Sequence, residues 1–431
     1  MELFHIITVG ISTIIAGRLA LKRWFNHLTL YSTLWTISLV LYAMKFIHYY
    51  PISSEAWFYI YLSWFMLFLG SFLILVKYSV AGESPAEFEF TKTSKLSLDL
   101  DLGLLSKVII ILSLLYLVTI VYQTIAVIRV FGGLGRAIIF ANYLYGMRVS
   151  GELAGLPYLG SFSFPAALFA GIYTSMRRKV TFTSIFPFIL IGLNQIIVMG
   201  RLAIVNCGLF FFSALIFTPH KRFITKKTVF AFVLISIIII GTFIFISSVR
   251  KLEIKFKYET ENMEMLRSTI TFLPSVYFYI SAPSVAFSEY LLVGEENVYR
   301  GSYTFRWIFN ILSRFNFTER LSLFNPFIRT PEGINAATYL RELHADFGPL
   351  GILIFPFILG CLITAVYIKA HRHPTILNIV ILVHLITIVW QSWSSQIMKH
   401  GEWTVSLFIS MFIAMKLDSI IQQKPKSIEN G

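Results

Sequence analysis

Tyr339-Leu-Arg-Glu-Leu-His-Ala-Asp-Phe-Gly-Pro-Leu-Gly351 closes the longest polar stretch of the chain and runs directly into an apolar segment, Leu350 to Tyr367. An apolar run of about 18 or more residues can cross a hydrocarbon core roughly 30 Å thick. Such runs recur along the whole length, so this charged motif stands at the edge of a membrane bundle. Arg341, Glu342, His344 and Asp346 entering a membrane helix carry a desolvation cost that calls for a reason. Chemistry is therefore sought there first.

Composition supports the same class. Of 431 residues, 56% are hydrophobic and 13% charged, whereas a soluble globular domain has roughly 25% charged residues. Mean hydropathy is +0.73. The apolar runs do not alternate with period two, so strands are not needed. The expected fold is an all-α polytopic membrane protein. A net charge of +14 then reads as cytoplasmic loops facing anionic lipid, with no nucleic-acid partner. Cys207 and Cys361 both lie inside apolar spans and imply neither a disulfide framework nor a metal site. Lys22 and Arg23 follow the first apolar run instead of preceding it, so that run is expected to be a permanent span with its N-terminus outside.

About eleven spans are expected, at 3–21, 28–47, 57–76, 108–127, 157–175, 182–199, 202–217, 229–247, 350–368, 375–393 and 404–420. They divide the chain into an N-terminal bundle of eight spans (1–247), a long extracytoplasmic loop (248–349), and three C-terminal spans with a cytoplasmic tail (350–431). Basic residues test the count. Lys22 and Arg23; Lys77, Lys92, Lys95 and Lys107; Arg177, Arg178 and Lys179; Lys221, Arg222, Lys226 and Lys227; Lys369 and Arg372; and Lys416, Lys424 and Lys426 fall on every second connection. Orientation by Lys/Arg bias requires that alternation and puts the C-terminus in the cytoplasm.

The outer segments are biased toward arginine. Segment 128–156 holds Arg129, Arg136 and Arg148 and no lysine, and beyond its first ten residues the long loop carries Arg267, Arg300, Arg306, Arg314, Arg320, Arg329 and Arg341. Arginine forms planar bidentate pairs with phosphate and carboxylate, which lysine does less well. The alternative is that these arginines pair with acids of the same loop. Within the loop, 269–293 is apolar but broken by Pro274 and Pro283, and Thr304–Phe315 is amphipathic. Both read as interfacial or re-entrant helices, not as a soluble domain. A further true span in 269–293 is an alternative that would invert everything downstream and spoil the charge pattern.

Read as a helix, Tyr339–Phe347 puts Leu340, Leu343 and Phe347 on an apolar face. Arg341 and His344 share a neighbouring face, and Glu342 and Asp346 another. Two acids that close repel unless a cation intervenes or one stays protonated, which is one way to obtain a general base. The plainer reading makes Asp346-Phe-Gly-Pro-Leu-Gly a junction, with Gly348 ending one helix and Pro349 starting the next. Arg201 stands at the tip of a tight hairpin, either as an interfacial anchor or as a phosphate ligand. Asp99 and Asp101, and His371 and His373, lie on the cytoplasmic side without companions. No P-loop, dinucleotide fingerprint or Cys-x-x-Cys is present. The first outer loop offers only Glu55 as an acid, which counts against a divalent-metal mechanism.

The many spans, the long outer loop and the Tyr-x-x-x-x-His-Ala-Asp-Phe-Gly-x-x-Gly run resemble bacterial O-antigen and capsule repeat-unit polymerases of the Wzy type. The matching positions are Asp346, Phe347, Gly348 and Gly351, with the Gly200-Arg201 turn as a second point of likeness. Related O-antigen ligases carry a His-Asn pair where this chain has Ala336 and Ala337, which favours polymerase over ligase. The resemblance implies a metal-independent glycosyltransferase without cofactor in the bacterial inner membrane. Its donor and acceptor would be undecaprenyl-pyrophosphate-linked oligosaccharides, with a chain-length regulator as a candidate protein partner. It implies His344, Asp346 and Arg341 as catalytic residues, and Arg201, Arg136, Arg148, Arg300 and Tyr339 as substrate contacts. A lipid-oligosaccharide flippase or other transporter is the rival from another class. Transporters place ionisable groups near the bilayer midplane, whereas the charges here are expected to gather at the outer surface.

Overall fold

The computed structural model describes residues 2–80, 101–218 except 151, 154, 155 and 157, 226–250, 260–269, 273–294, 299–319, 321 and 325–423. Lys92, Lys95, Asp99, Lys221, Arg222, Arg320, Lys424 and Lys426 lie outside the described residues.

The chain is helical almost throughout. In order the helices are α1 (Glu2–Leu21), α2 (His27–Ala43), α3 (Ser54–Val80), α4 (Leu102–Phe131), α5 (Leu134–Ile139), α6 (Ala141–Ser150), α7 (Ser163–Arg177), α8 (Phe182–Ile197) and α9 (Leu202–Phe217). They continue with α10 (Lys226–Val249), α11 (Glu261–Thr269), α12 (Leu273–Val293), α13 (Arg306–Leu312), α14 (Tyr339–Phe347), α15 (Pro349–Arg372), α16 (Ile376–Gln391) and α17 (Gly401–Gln423). Two short antiparallel strands, β1 (Ile328–Arg329) and β2 (Gly333–Ile334), form a small hairpin. Each expected span coincides with one helix to within a few residues, and no sheet core is present among the described residues. Six helices, α1, α3, α4, α12, α15 and α17, are long and apolar enough to cross a membrane. The protein is an all-α membrane protein.

One segment departs from the sequence reading. Pro274 and Pro283 do not break 269–293, because Pro274 falls in the first turn of α12, where its missing N–H goes unused, and Pro283 is absorbed inside the helix. The enclosed share of its apolar window, 61%, is the largest of the six. α12 is thus a helix packed in protein along much of its length.

Contacts define two compact units that interleave along the chain: Met1–Ala86, Ile244–Ala365 and Ile386–Gly401 in the first; Glu87–Phe243, Val366–Leu385 and Glu402–Gly431 in the second. In the first, α1 packs on α2, and α12 packs on α2, α3, α11 and α14. Asn26 caps α2 by accepting from Leu28 and Thr29 N–H, while its amide donates to Gly17 and Arg23 carbonyls. This closes the α1–α2 turn and satisfies donors otherwise orphaned at a helix start. α3 and α15 meet through glycine: a Cβ on Gly70 would collide with the Phe357 carbonyl, and one on Gly360 with the Leu67 carbonyl. Small residues let backbones approach where lipid supplies no hydrophobic driving force between helices.

α14 does not lie on the outer surface. The Tyr339 hydroxyl meets that of Tyr31 at 3.1 Å, and the Tyr31 hydroxyl meets Ser63 at 3.0 Å. Tyr31 is twelve residues before the end of α2 and Ser63 nine after the start of α3. At 1.5 Å per residue these lie about 18 and 13 Å along their helices from the α2–α3 connection. The chain therefore enters the bundle before α14 and climbs back along it to the start of α15. Asp346, seven residues beyond Tyr339, therefore stands about 10 Å nearer the α2–α3 connection than Tyr339 does.

In the second unit α7 packs on α4, α8 and α9. α8 runs alongside the first half of α4, with Ser106 3.1 Å from Thr183 and the Asn194 amide donating to the Tyr116 hydroxyl at 2.7 Å. Tyr116 is fifteen residues before the end of α4, about 22 Å along the helix. The α8–α9 turn bearing Gly200 and Arg201 is thus level with the middle of α4.

Candidate functional site

α14 begins at Thr338, which has no side-chain cap bond, and ends at Gly348 with φ 63° and ψ −153°. That conformation is almost restricted to glycine. Pro349 then opens α15, and Gly351 packs directly against the Leu343 carbonyl. The glycines of the motif thus set a tight helix-to-helix reversal. Asp346 reinforces it by accepting from Tyr303 N–H at 3.0 Å and Thr304 N–H at 2.6 Å. The acid ties the preceding loop to the foot of α15, the junction role, and its carboxylate is 2% exposed.

The reversal projects one face of α14 into a buried ionic cluster. Glu342 is fully buried, and its Oε1 accepts from Lys399 Nζ at 2.7 Å and from Asn325 Nδ2 at 2.8 Å. Arg306 donates to Asn325 Oδ1 at 2.8 Å and lies 5.1 Å over the Tyr303 ring. Thr304 donates to Gln396 Oε1 at 3.4 Å. Arg341 is 1% exposed, donates to the Pro326 carbonyl at 3.2 Å and stands 5.7 Å over the Tyr290 ring. The cation that interacts with both acids is Arg306 of α13, while Lys399 of the α16–α17 connection pairs with Glu342.

Burial sets the electrostatics. It pulls Arg306 below its ordinary range, with Glu342 opposing the shift and Arg341 adding to it. Burial likewise lowers Lys399, Glu342 opposing and Arg306 and Arg341 adding. The three cations repel one another in a medium that screens poorly. His400 beside them is held neutral, its pKa pushed down to about 3 by burial, Lys399 and Arg306.

His344 faces a different surface. Its Nδ1 lies 3.1 Å from the Tyr290 hydroxyl, and its ring packs on Tyr59 and Tyr290 at centroid distances of 5.6 and 5.7 Å. It is half-buried, which lowers its pKa against the opposing pull of Glu55. Arg341 and His344 thus share Tyr290 as a neighbour, as expected of residues one turn apart. Tyr339 is fully enclosed among Tyr31, Trp35 and Phe355, and its N–H donates to the Ser392 carbonyl at 2.9 Å. Arg300 is exposed on the turn before α13.

The remaining arginines belong to the second unit. Arg136 is exposed on α5, and Arg201 precedes α9 half-buried. Arg148 lies against Gly200 so closely that a Cβ there would collide with its Nη1. Arg306 carried only the general arginine bias of the loop, and Lys399, Asn325 and Gln396 carried no sequence signal as site residues, being scattered over some ninety positions and brought together only by folding. Among the described residues no group of three His, Cys, Asp or Glu side chains could hold a metal ion.

No protein-family profile, curated protein or solved structure shows significant similarity to the chain.

Proposed function

We propose that the protein polymerises undecaprenyl-pyrophosphate-linked oligosaccharide repeat units into surface polysaccharide at the outer face of the bacterial inner membrane. The observation that carries this reading is the gathering of Arg306, Arg341 and Lys399 around Glu342 and Asp346, nearly free of solvent, at the depth of a re-entrant helix. Mutually repelling cations in a low-dielectric site gain most from a multivalent anion, and a pyrophosphate attached to a lipid reaches that depth with its tail still in the bilayer.

In this reading α1–α4, α7–α10 and α15–α17 cross the membrane, the N-terminus is outside and the C-terminus cytoplasmic, and α12 stays on the outer side. The Lys/Arg alternation supports that topology, and the protein enclosing α12 fits a helix that does not face lipid. The arginines and Lys399 hold the pyrophosphate and stabilise charge as it leaves. An acceptor hydroxyl attacks the anomeric carbon, the bond to pyrophosphate breaks with its electron pair on the leaving oxygen, and the hydroxyl proton passes to a base. His344 suits that role when its Nδ1–H donates to Tyr290, because Nε2 is then the acceptor. Asp346, engaged by two N–H groups, is a positioning residue.

The test is to give purified protein a synthetic undecaprenyl-pyrophosphate repeat unit and resolve the products. A ladder of multimers that Arg341→Ala abolishes supports the reading, and a ladder undiminished in Arg341→Ala overturns the pyrophosphate clamp. The burial of Arg341, Glu342 and Lys399 among helices also favours a second reading, a lipid-linked oligosaccharide transporter. That reading requires lipid movement across liposomes with no new product.

A further inference from the structure

The second unit holds a set of polar groups whose hydrogen-bonding capacity is left open. Gln195 is 1% exposed and Asn194 5%, and the carbonyl oxygens of both side chains are buried with no hydrogen-bond partner among the described residues. The Asn194 amide donates to the Tyr116 hydroxyl at 2.7 Å, which leaves its carbonyl oxygen as the open group. Gln195 Oε1 comes within 2.8 Å of the position a Gly200 Cβ would take, and Arg148 Nη1 crowds that same position. The two groups therefore converge on one glycine, yet they do not hydrogen bond to each other. Arg148 makes no hydrogen bond or ion pair among the described residues.

Glu402, at the start of α17, completes the set. Its Oε1 lies 3.2 Å from the position of a Gly160 Cβ. Arg148 acts electrostatically on Glu402, and both act on the Tyr116 phenol. One cation, one carboxylate and two amide carbonyls are thus collected near the level of the middle of α4. An unsatisfied buried acceptor is costly, so two of them in a unit where Arg148 makes no hydrogen bond among the described residues mark a place built for a partner.

The chemistry of that partner follows from the inventory. Two buried acceptors, Gln195 Oε1 and Asn194 Oδ1, need donors; the exposed Glu402 carboxylate adds a third acceptor open to solvent, and of the four side chains Arg148 is the cation. A bare phosphate or pyrophosphate supplies no donors at neutral pH and meets Glu402 with like charge. A sugar hydroxyl donates and accepts at once, and vicinal hydroxyls match closely spaced side chains of mixed polarity. We propose that Arg148 and Gln195, which meet over Gly200, form a carbohydrate-binding site in the second unit together with Asn194 and Glu402. This deepens the polymerase reading and rests on it for its purpose: a reaction joining two glycans needs a place for sugar apart from the pyrophosphate.

Saturation-transfer NMR on the full chain in lipid nanodiscs tests this without any lipid-linked substrate. The probes are free hexoses, N-acetylhexosamines and deoxyhexoses, with inorganic pyrophosphate as the contrasting anion. Transfer to at least one sugar is expected, reduced about fivefold or more in Gln195→Leu and in Glu402→Gln. The thermal midpoint of Gln195→Leu is expected to match or exceed that of the parent, since the change removes an unsatisfied buried carbonyl and separates a lost site from a lost fold. The proposal is overturned if no sugar shows transfer above empty nanodiscs, if both variants bind as the parent does, or if pyrophosphate alone binds and Glu402→Gln strengthens it. A polymer ladder without Gln195-dependent sugar binding would leave the polymerase reading standing and remove this one. Sugar binding without a ladder would do the reverse.

Discussion

Lys399 Nζ lies 2.7 Å from Glu342 Oε1 although 57 positions separate them, and both side chains are almost or wholly without solvent contact. The pair joins the α16–α17 connection to the re-entrant helix. Removing one partner of a buried pair leaves an uncompensated charge and costs about 3–5 kcal/mol, whereas replacing both with groups of similar volume is often neutral. Lys399→Met alone and Glu342→Gln alone should each lower the thermal midpoint in detergent, and the double variant should recover most of the loss. A double variant as unstable as the sum of the singles would mean that the two residues act separately.

Arg341 is enclosed by Tyr290 and the Pro326 carbonyl, so its guanidinium is held in one orientation before any ligand arrives. Loss of one preorganised donor to a developing anion costs about 10²–10³ in turnover. Arg341→Ala should lower polymerisation by that order with protein level maintained, and Arg341→Lys should not restore it, because lysine lacks the planar fork. Full recovery by lysine would reduce the role to charge alone.

Asp346 and Gly348 are expected to act through structure. Asp346→Asn loses the charge on an acceptor of two N–H bonds, worth about 1.5–3 kcal/mol for each bond to a charged group. Gly348→Ala forces a side chain into a conformation that costs about 1–3 kcal/mol. Both should lower the midpoint while the turnover of the protein that remains folded changes little. A loss of turnover in Asp346→Asn without a loss of stability would restore that acid as a base.

His400 gives the cluster an acid sensitivity of definite sign. Its pKa is depressed to about 3 in the folded protein against roughly 6.5 unfolded, so between these values the unfolded state binds the extra proton. Stability from the neutral imidazole is fully present above about pH 6.5 and is lost as pH falls toward 3. Thermal midpoints measured from pH 7 to 4 should fall more steeply for the parent than for His400→Asn. Parallel slopes would show that His400 is not held neutral.

Much of this was legible before folding. The spans announce themselves by length and apolarity, and each matches a helix, because in a bilayer an apolar run must satisfy its own backbone hydrogen bonds. The reversal at Gly348 and Pro349 was also readable, since glycine and proline restrict the backbone locally. α12 was misjudged because its prolines were weighed as breakers, whereas the first turn and a protein-packed interior both tolerate them. The enclosure of α14 could not be read at all, because a short helix packed in protein has the same local sequence as one lying flat on the surface.

By itself the sequence determined that this is a helical membrane protein, roughly where its long apolar helices lie, and that Tyr339–Gly351 joins a charged helix to an apolar one. These follow from interactions within a few residues: hydrogen bonds along a helix, caps, and backbone conformation. Only the tertiary structure decided that Arg306, Asn325, Glu342, Gln396 and Lys399 form one cluster, and that Arg148 and Gln195 meet over Gly200. The physical reason is that a single charged or amide side chain costs about the same wherever it stands in the sequence. Its cost is offset only by partners in space, and the fold alone determines which partners those are.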